Sequence, residues 1–394
     1  MTASLVNRMS GFGTTIFAEM TALAIDTGAV NLGQGFPDTD GPPAMLERAQ
    51  QAIREGLNQY PPGPGLPVLR EAIAAHRAKR YGLGYDPSGE VLVTVGATEA
   101  ITAAIMALCE PEDEVLLFQP YYDSYGAAIA LAGGVRRAVT MRPDGPDGRF
   151  TFDPAELRAA VTPQTKLLLL NSPHNPTGTV LTPGELAEVA AVCREHDLVA
   201  VTDEVYEHLT YDGAEHLPLA ALDGMRERTV SISSAGKTFS ATGWKIGWVC
   251  ARPELVRAVT TVKQFLTFTA SAPFQAAVAY ALEHEMNWVE GSRASHQQRR
   301  DLLAEGLATL GLSVHRPAGT YFIQTDVRSI GVEDGTAFAR ELPLAAGVAA
   351  IPTAAFYDDK AAGRPYVRFA FCKRPEVLAE GVARLTTYAA RGRH

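Results

Sequence analysis

The sequence predicts an α/β protein, with a large three-layer domain on a mostly parallel sheet and a smaller α+β domain. Three observations predict it. Six short apolar runs between Val91 and Cys250 alternate with stretches of helical period, the pattern of strands covered by helices on both faces. Two of those helical stretches open on proline-led start signals. Past about residue 280 the pattern changes to scattered strands mixed with helices. At 394 residues the chain is also long for one domain, and two domains sharing a cleft are the natural expectation.

Residues 1–44 read as an arm joining the smaller domain, weakly patterned apart from a helix over Ile16–Thr27. Within it Asn31–Pro43 (NLGQGFPDTDGPP) is too rich in Gly and Pro for a regular element and reads as a structured loop. Residues 45–280 make the large domain, opening with a helix over Met45–Gly56 and an ordered loop over Gln59–Gly65. The expected strands are Val91–Val95, Glu114–Phe118, Lys166–Leu170, Leu198–Thr202, Thr229–Ser233 and Ile246–Cys250. Thr182-Pro183-Gly184-Glu185 supplies an N-cap, a proline in the first turn and a capping-box glutamate. Asp153-Pro154-Ala155-Glu156 repeats the device. A long helical stretch from Phe274 to about Leu310 leads into residues 281–394, the smaller domain. Strands are expected there near Tyr321–Asp326, Val348–Ile351 and Val367–Phe371, with helices near Thr336–Ala346 and Pro375–Ala390.

Charge and cysteine usage exclude several classes. Net charge is −9, and the longest basic run, Arg391–His394, is a short tail. Binding to nucleic acid is therefore not expected. The four cysteines are widely spaced, with no CxxC and no Cys/His cluster. They read as core filler in a reduced, cytoplasmic protein without a metal site. Met1–Ser10 lacks the apolar centre of a signal peptide. No run of 18 apolar residues occurs, so no membrane span is expected.

In a parallel α/β sheet, ligands bind at the carboxyl ends of the strands. Four of those ends carry unusual residues. VTVGATEA turns from strand to helix at Gly96, Ala97 and Thr98, where free N–H groups and the helix dipole suit an anion such as phosphate. It is not GxGxxG, which disfavours a nicotinamide-dependent oxidoreductase. NSPHNPTG fixes Asn175 in a proline-stiffened loop, as a functional amide or as a plain turn residue. VTDEVYEH puts Asp203 at the end of an apolar strand, costly unless it meets a cation or reaches the surface; Tyr206 follows three residues on. SSAGKTFSATGWKIGW, Ser233–Trp248, holds Lys237 and Lys245 with no carboxylate between them, among Ser234, Gly236, Thr238 and Ser240. Both lysines could snorkel to water. Alternatively, the loop closes round an anion, and a lysine desolvated beside a second cation becomes a nucleophile able to form a Schiff base.

Taken together, these ends offer a phosphate cradle, a buried carboxylate, a phenol, an amide and a reactive lysine. Pyridoxal 5′-phosphate needs all of them: a lysine for its aldehyde, a cradle for its phosphate, a carboxylate for its ring nitrogen. A further arginine, Arg368, stands in the apolar run VRFAFCK. It needs an anion, either a protein carboxylate or the carboxylate of a substrate.

The segments NLGQGFPD, NQYPPGPG, VTVGATEA, PYYDSY, NSPHNPTG, TDEVYEH, SSAGKTFSATGWKIGW and VRFAFCK, in this order over about residues 10–390, carry a resemblance. The chain resembles the class I aminotransferases of the fold-type-I pyridoxal-phosphate superfamily. Within them it is most similar to the subgroup of kynurenine and glutamine aminotransferases and to actinobacterial N-succinyldiaminopimelate aminotransferases. The resemblance implies that Lys237 binds the cofactor as a Schiff base. It implies that Ser234, Lys245 and the backbone of Ala97 and Thr98 hold its phosphate, with Tyr60 reaching in from a partner subunit. Asp203 would pair with the ring nitrogen, Tyr206 and Asn175 with the phenolic oxygen, and Tyr122 would stack on the ring. Arg368 would clamp the substrate carboxylate, helped by Asn175 and the backbone of Gly35, with Phe17 and Phe268 lining the side-chain pocket. Two departures stand out. Lys245 occupies a position where many members carry arginine, and Thr98 one where kynurenine-type enzymes often carry an aromatic residue.

The implied activity is transfer of an amino group from an L-amino acid to a 2-oxo acid, in a ping-pong cycle on a homodimer with shared sites. N-Succinyldiaminopimelate with glutamate leads the substrate expectation, with kynurenine, glutamine or methionine next. A cysteine-conjugate β-lyase would use the same motifs. A ligand-sensing regulator on the same domain would need a DNA-binding domain, for which the first ~30 residues are too short.

Overall fold

The apolar runs of the large domain do form one sheet. The computed structural model describes residues 6–145 and 147–391; of Arg391–His394, only Arg391 falls within them. Seven strands, β1 (Val91–Val95), β2 (Glu114–Gln119), β3 (Val135–Thr140), β4 (Thr165–Asn171), β5 (Val199–Asp203), β6 (Thr229–Ser234) and β7 (Ile246–Cys250), lie in the order β1-β7-β6-β5-β4-β2-β3. All pairings are parallel except those of β7, antiparallel to both β1 and β6. An apolar run marks a buried strand but not its direction.

Successive side chains of β4 show why such runs read as continuous. Leu167 and Leu169 pack with the helices Gly96–Leu108 and Pro253–Leu266, whereas Leu168 and Leu170 pack with Pro183–Glu195. With period-two alternation, a sheet covered on both faces needs apolar residues at every position. Strand β3, VRRAVT, escaped that signal because it is the sheet edge and carries Arg136 and Arg137; Arg137 pairs with Glu114 at 2.7 Å.

Of the two proline-led helix starts, one is the full device. Thr182 accepts from the Glu185 N–H while the Glu185 carboxylate accepts from Thr182, a complete capping box. At the other, Asp153 caps Ala155 N–H, but Glu156 does not return to it. Its carboxylate accepts instead from Arg142 at 2.6 Å and from the Thr140 N–H. The glutamate is turned toward the strand end at Thr140 and its arginine, away from the helix start.

The expected helix Ile16–Thr27 is present and packs on Gly335–Ala345. The following Val30–Asn31 pairs in parallel with Val348–Ala349. The helical stretch after Phe274 is two helices, Ala272–His284 and Met286–Thr309, separated at Glu285. The first packs on Pro43–Arg54 and Pro67–Tyr81, and the second on Pro375–Ala390. A second sheet, fully antiparallel, contains β8 (Ser313–His315), β9 (Phe322–Asp326), β10 (Ile351–Pro352) and β11 (Tyr366–Ala370) in the order β8-β9-β11-β10.

Candidate active site

The carboxyl ends of β4, β5 and β6, the turn after β1, the loop around Gly35 and strand β11 enclose a cavity of about 410 Å³. Twelve predicted residues form its wall: Phe17, Gly35, Ala97, Thr98, Tyr122, Asn175, Asp203, Tyr206, Ser234, Lys237, Lys245 and Arg368. Tyr60 and Phe268 are not among them. They stand together on the surface, ring edge to ring face at 5.2 Å, 82% and 51% exposed.

One corner is built for an anion. Gly96 has a left-handed φ of 73° and opens the helix Gly96–Leu108 with the N–H groups of Ala97 and Thr98 in its first turn. Lys245 also has a left-handed backbone, φ 54°. That conformation brings its ammonium so close that a Cβ on Gly96 would lie 3.2 Å from Nζ. Gly247 lets β7 approach the same turn: a Cβ there would stand 2.6 Å from the Gly96 carbonyl carbon. Among the described residues no carboxylate pairs with Lys245. A helix N-terminus, a hydroxyl (Ser234) and an unpaired ammonium converge on one spot.

The centre holds a lysine and a carboxylate, each short of a counter-ion. Lys237 Nζ donates to Tyr321 Oη at 2.8 Å and towards Gly35 O at 3.4 Å. Burial, with Lys245 and Arg368 nearby, lowers its ammonium to about 8, although Cys372 and Asp203 oppose the shift. Asp203 accepts from Tyr125 Oη at 2.6 Å and from the Val205 N–H at 3.2 Å. Burial nonetheless pushes its carboxyl up to about 6. Tyr206 is buried with its ring against Tyr321 at 5.2 Å, and burial raises its phenol.

The third corner is cationic. Arg368 is 1% exposed and makes no ion pair with any described residue. Its Nη1 donates to Asn175 Oδ1 at 2.9 Å and Nη2 to Gly33 O at 3.1 Å, while Nε has no partner. Its guanidinium lies 3.9 Å from the ring centre of Phe322 and 5.3 Å from that of Phe17. Desolvation lowers it to about 10. Among the described residues, no carboxylate pairs with Arg368 to make it structural.

All three perturbations have one remedy, a ligand with anionic and cationic ends. Pyridoxal phosphate offers a phosphate for the Gly96 corner and a protonatable ring nitrogen for Asp203, and an amino-acid substrate offers a carboxylate for Arg368. The residues present fit the group.

Several wall or supporting residues escaped the sequence reading. Asn171, the last residue of β4, receives the Asn175 N–H at 2.7 Å and donates to Asp203 O at 2.9 Å, aligning two strand ends. Its place at the head of NSPHNPTG was the available signal. Tyr125 follows Tyr122 by three residues on one helix, a spacing that shares a face. Tyr321 had no signal, since its partner Lys237 is 84 residues away.

Comparison with known proteins places this arrangement. The family model for class I and II aminotransferases matches residues 27–385. The chain is 54% identical over 395 residues to the probable N-succinyldiaminopimelate aminotransferase DapC of Mycobacterium tuberculosis, covering 98% of this chain and 99% of that one. It is 38% identical to the methionine aminotransferase of Escherichia coli, over 96% of this chain and 97% of the other. The solved structure of N-succinyldiaminopimelate aminotransferase from Mycobacterium tuberculosis superposes with a TM-score of 0.95 at 55% identity, covering 98% of this chain and 100% of that one.

Proposed function

The chain belongs to the class I and II aminotransferases and uses pyridoxal phosphate; on that premise we propose that its amino donor is a long-chain L-amino acid, with N-succinyldiaminopimelate first and glutamate as its counterpart. The observation that carries the site assignment is the shared imbalance of Lys237, Asp203 and Arg368, three buried charged groups without adequate protein counter-ions. The substrate assignment is supported by the 54% identical relative named for that compound.

When bound, pyridoxal phosphate supplies a carbonyl carbon that takes up the amino group and a ring that draws electrons from the substrate Cα. Ser234, Lys245 and the N–H groups of Ala97 and Thr98 hold its phosphate. Asp203 keeps a proton on the ring nitrogen, steadied by Tyr125. Tyr206 and Asn175 bind the phenolic oxygen, and Tyr122 covers the ring. Lys237, lowered to about 8, is neutral often enough near pH 7 to act as nucleophile and then as the base that moves the Cα proton. Arg368 binds the substrate carboxylate, with Asn175 and the backbone of Gly35 beside it.

The active unit is a homodimer. Tyr60, Phe265, Leu266 and Phe268 are exposed large apolar residues, with Tyr60 and Phe268 in ring contact, the kind of surface that marks an interaction site. It would deliver Tyr60 to the phosphate and Phe268 to the side-chain pocket of the partner's site. Residues 1–44 with 281–394 form the smaller domain and 45–280 the larger. The four cysteines are buried and free, in keeping with a reducing cytoplasm. No helix of the described residues is long and apolar enough to cross a membrane.

A panel of amino donors with 2-oxoglutarate tests the substrate. N-Succinyldiaminopimelate should give the highest kcat/KM, with glutamine, methionine and kynurenine ahead of aspartate. Aspartate as the best donor would refute the assignment.

A further inference from the structure

Behind the strand end that carries Asp203, a second group of titratable side chains is sealed into the large domain. The stretch VTDEVYEH sends Asp203 and Tyr206 to the cavity, but Glu204, Glu207 and His208 to the helix Pro67–Tyr81. Glu204 is matched there, accepting from Arg77 Nη1 at 2.8 Å and from Thr202 Oγ1 at 2.7 Å. Glu207 accepts from Ser233 Oγ at 2.5 Å and Tyr81 Oη at 2.6 Å, and lies 3.4 Å from Arg77 Nη1. The histidines are not matched. His76 Nε2 and His208 Nδ1 are buried without a hydrogen-bond partner, on residues 8% and 4% exposed. Their rings meet at 5.0 Å. One donor atom from each of His76, Glu207 and His208 lies within 4.8 Å of the other two.

Buried imidazole nitrogens are normally hydrogen-bonded, so two buried nitrogens without partners, on histidines grouped with one carboxylate, call for a ligand. We propose that His76, Glu207 and His208 bind one divalent transition-metal ion of the zinc type, at a site separate from the cofactor cavity. Two imidazoles and a carboxylate suit zinc better than magnesium or calcium, which favour all-oxygen sites. Zinc holds such atoms at about 2.0–2.2 Å in tetrahedral geometry, so donors around it stand about 3.3–3.6 Å apart. Small ring rotations would bring the three donors from within 4.8 Å of one another to that spacing. Formal charge points the same way. Two carboxylates face one guanidinium and the imidazole of His216, 3.6 Å from Glu204, so with all imidazoles neutral the sealed group lacks a cation. Arg77 is the opposing charge, but its nearer partner is Glu204 rather than Glu207. The expectation of no metal rested on cysteines and on close Cys/His spacing. His76 comes from a distant helix, so no short motif marks this group.

The test uses tag-free, pyridoxal-phosphate-loaded protein and zinc alone as the probe. Zinc is titrated against a colorimetric chelator, and bound metal is counted after gel filtration. Wild type and His284→Gln, altered at an exposed histidine, should each bind one zinc per chain. His76→Gln and His208→Gln should each bind at least about tenfold more weakly. The two ligands lie on different elements, so either variant carries the test if the other fails to fold. Less than one zinc per wild-type chain overturns the proposal. So does full binding in either folded ligand variant, which would mark the zinc as adventitious.

Discussion

Arg368 shows what a single residue reveals. Its place in an apolar strand announced that an anion was needed, but only the structure shows that no described carboxylate supplies it. A charge-assisted contact to a substrate carboxylate is worth roughly 1.5–3 kcal/mol. Arg368→Lys should therefore lower kcat/KM for every amino-acid donor by roughly ten- to a hundredfold, with the visible spectrum of the bound cofactor unchanged. Steady-state kinetics and a titration with pyridoxal phosphate measure both; unaltered kcat/KM would return Arg368 to a structural role. Lys237 carries a pH prediction. In the cofactor-free protein its ammonium sits at about 8, below the ordinary 10.5. Its reaction with added pyridoxal phosphate should accelerate as pH rises through about 8 and level off above it, as followed by stopped-flow absorbance. An inflection near 10.5 would mean the lysine is not desolvated. The sign for stability agrees. The unfolded chain keeps that proton up to about 10.5, so stability of the cofactor-free form rises with pH between the two values. The lysine and the carboxylate were legible because each is expensive in apolar sequence. Tyr321, a phenol in an apolar run, was not.

At the scale of elements, the anion corner depends on a close approach between β7 and the turn after β1. Gly247 permits it: a Cβ would meet the Gly96 carbonyl carbon at 2.6 Å and Ala97 N at 2.8 Å. These are backbone atoms and cannot swing aside. Gly247→Ala should cost about 1–3 kcal/mol of stability through overpacking and weaken cofactor binding. Gly243→Ala, where a Cβ meets nothing within 4 Å, should leave cofactor affinity unchanged. Chemical denaturation and equilibrium dialysis against pyridoxal phosphate distinguish them; equal behaviour would mean the approach does not shape the cradle. Elements were legible where the local signal was strong. Glu185 keeps its capping box with Thr182 even while Arg149 binds the same carboxylate at 2.5 Å, whereas Glu156 is drawn off by Arg142 and the Thr140 N–H. The helix Pro67–Tyr81 was not read, although it carries His76 and Arg77 to the buried carboxylates. The antiparallel direction of β7 is set by pairing with β1 and β6, which an apolar pentapeptide does not encode.

For the whole molecule, the cavity lacks two predicted residues that the chain displays elsewhere on its surface, Tyr60 and Phe268. That separation is legible only in three dimensions, because sequence order says nothing about which copy of a chain a loop serves. If Tyr60 completes the partner's site, mixing inactive Tyr60→Phe and Lys237→Ala subunits should regenerate activity, since one site of each hybrid is wild type at both positions. Well-formed hybrids with no recovered activity would place Tyr60 in its own chain's function. The central claim is that Lys237 is the residue to which pyridoxal phosphate bonds, with Lys245 reserved for the phosphate. Borohydride reduction of the yellow protein, followed by peptide mass spectrometry, tests it most directly. The pyridoxyl mass should appear on the peptide containing Lys237 and not on Lys245. The same mass found on Lys245 would contradict the claim.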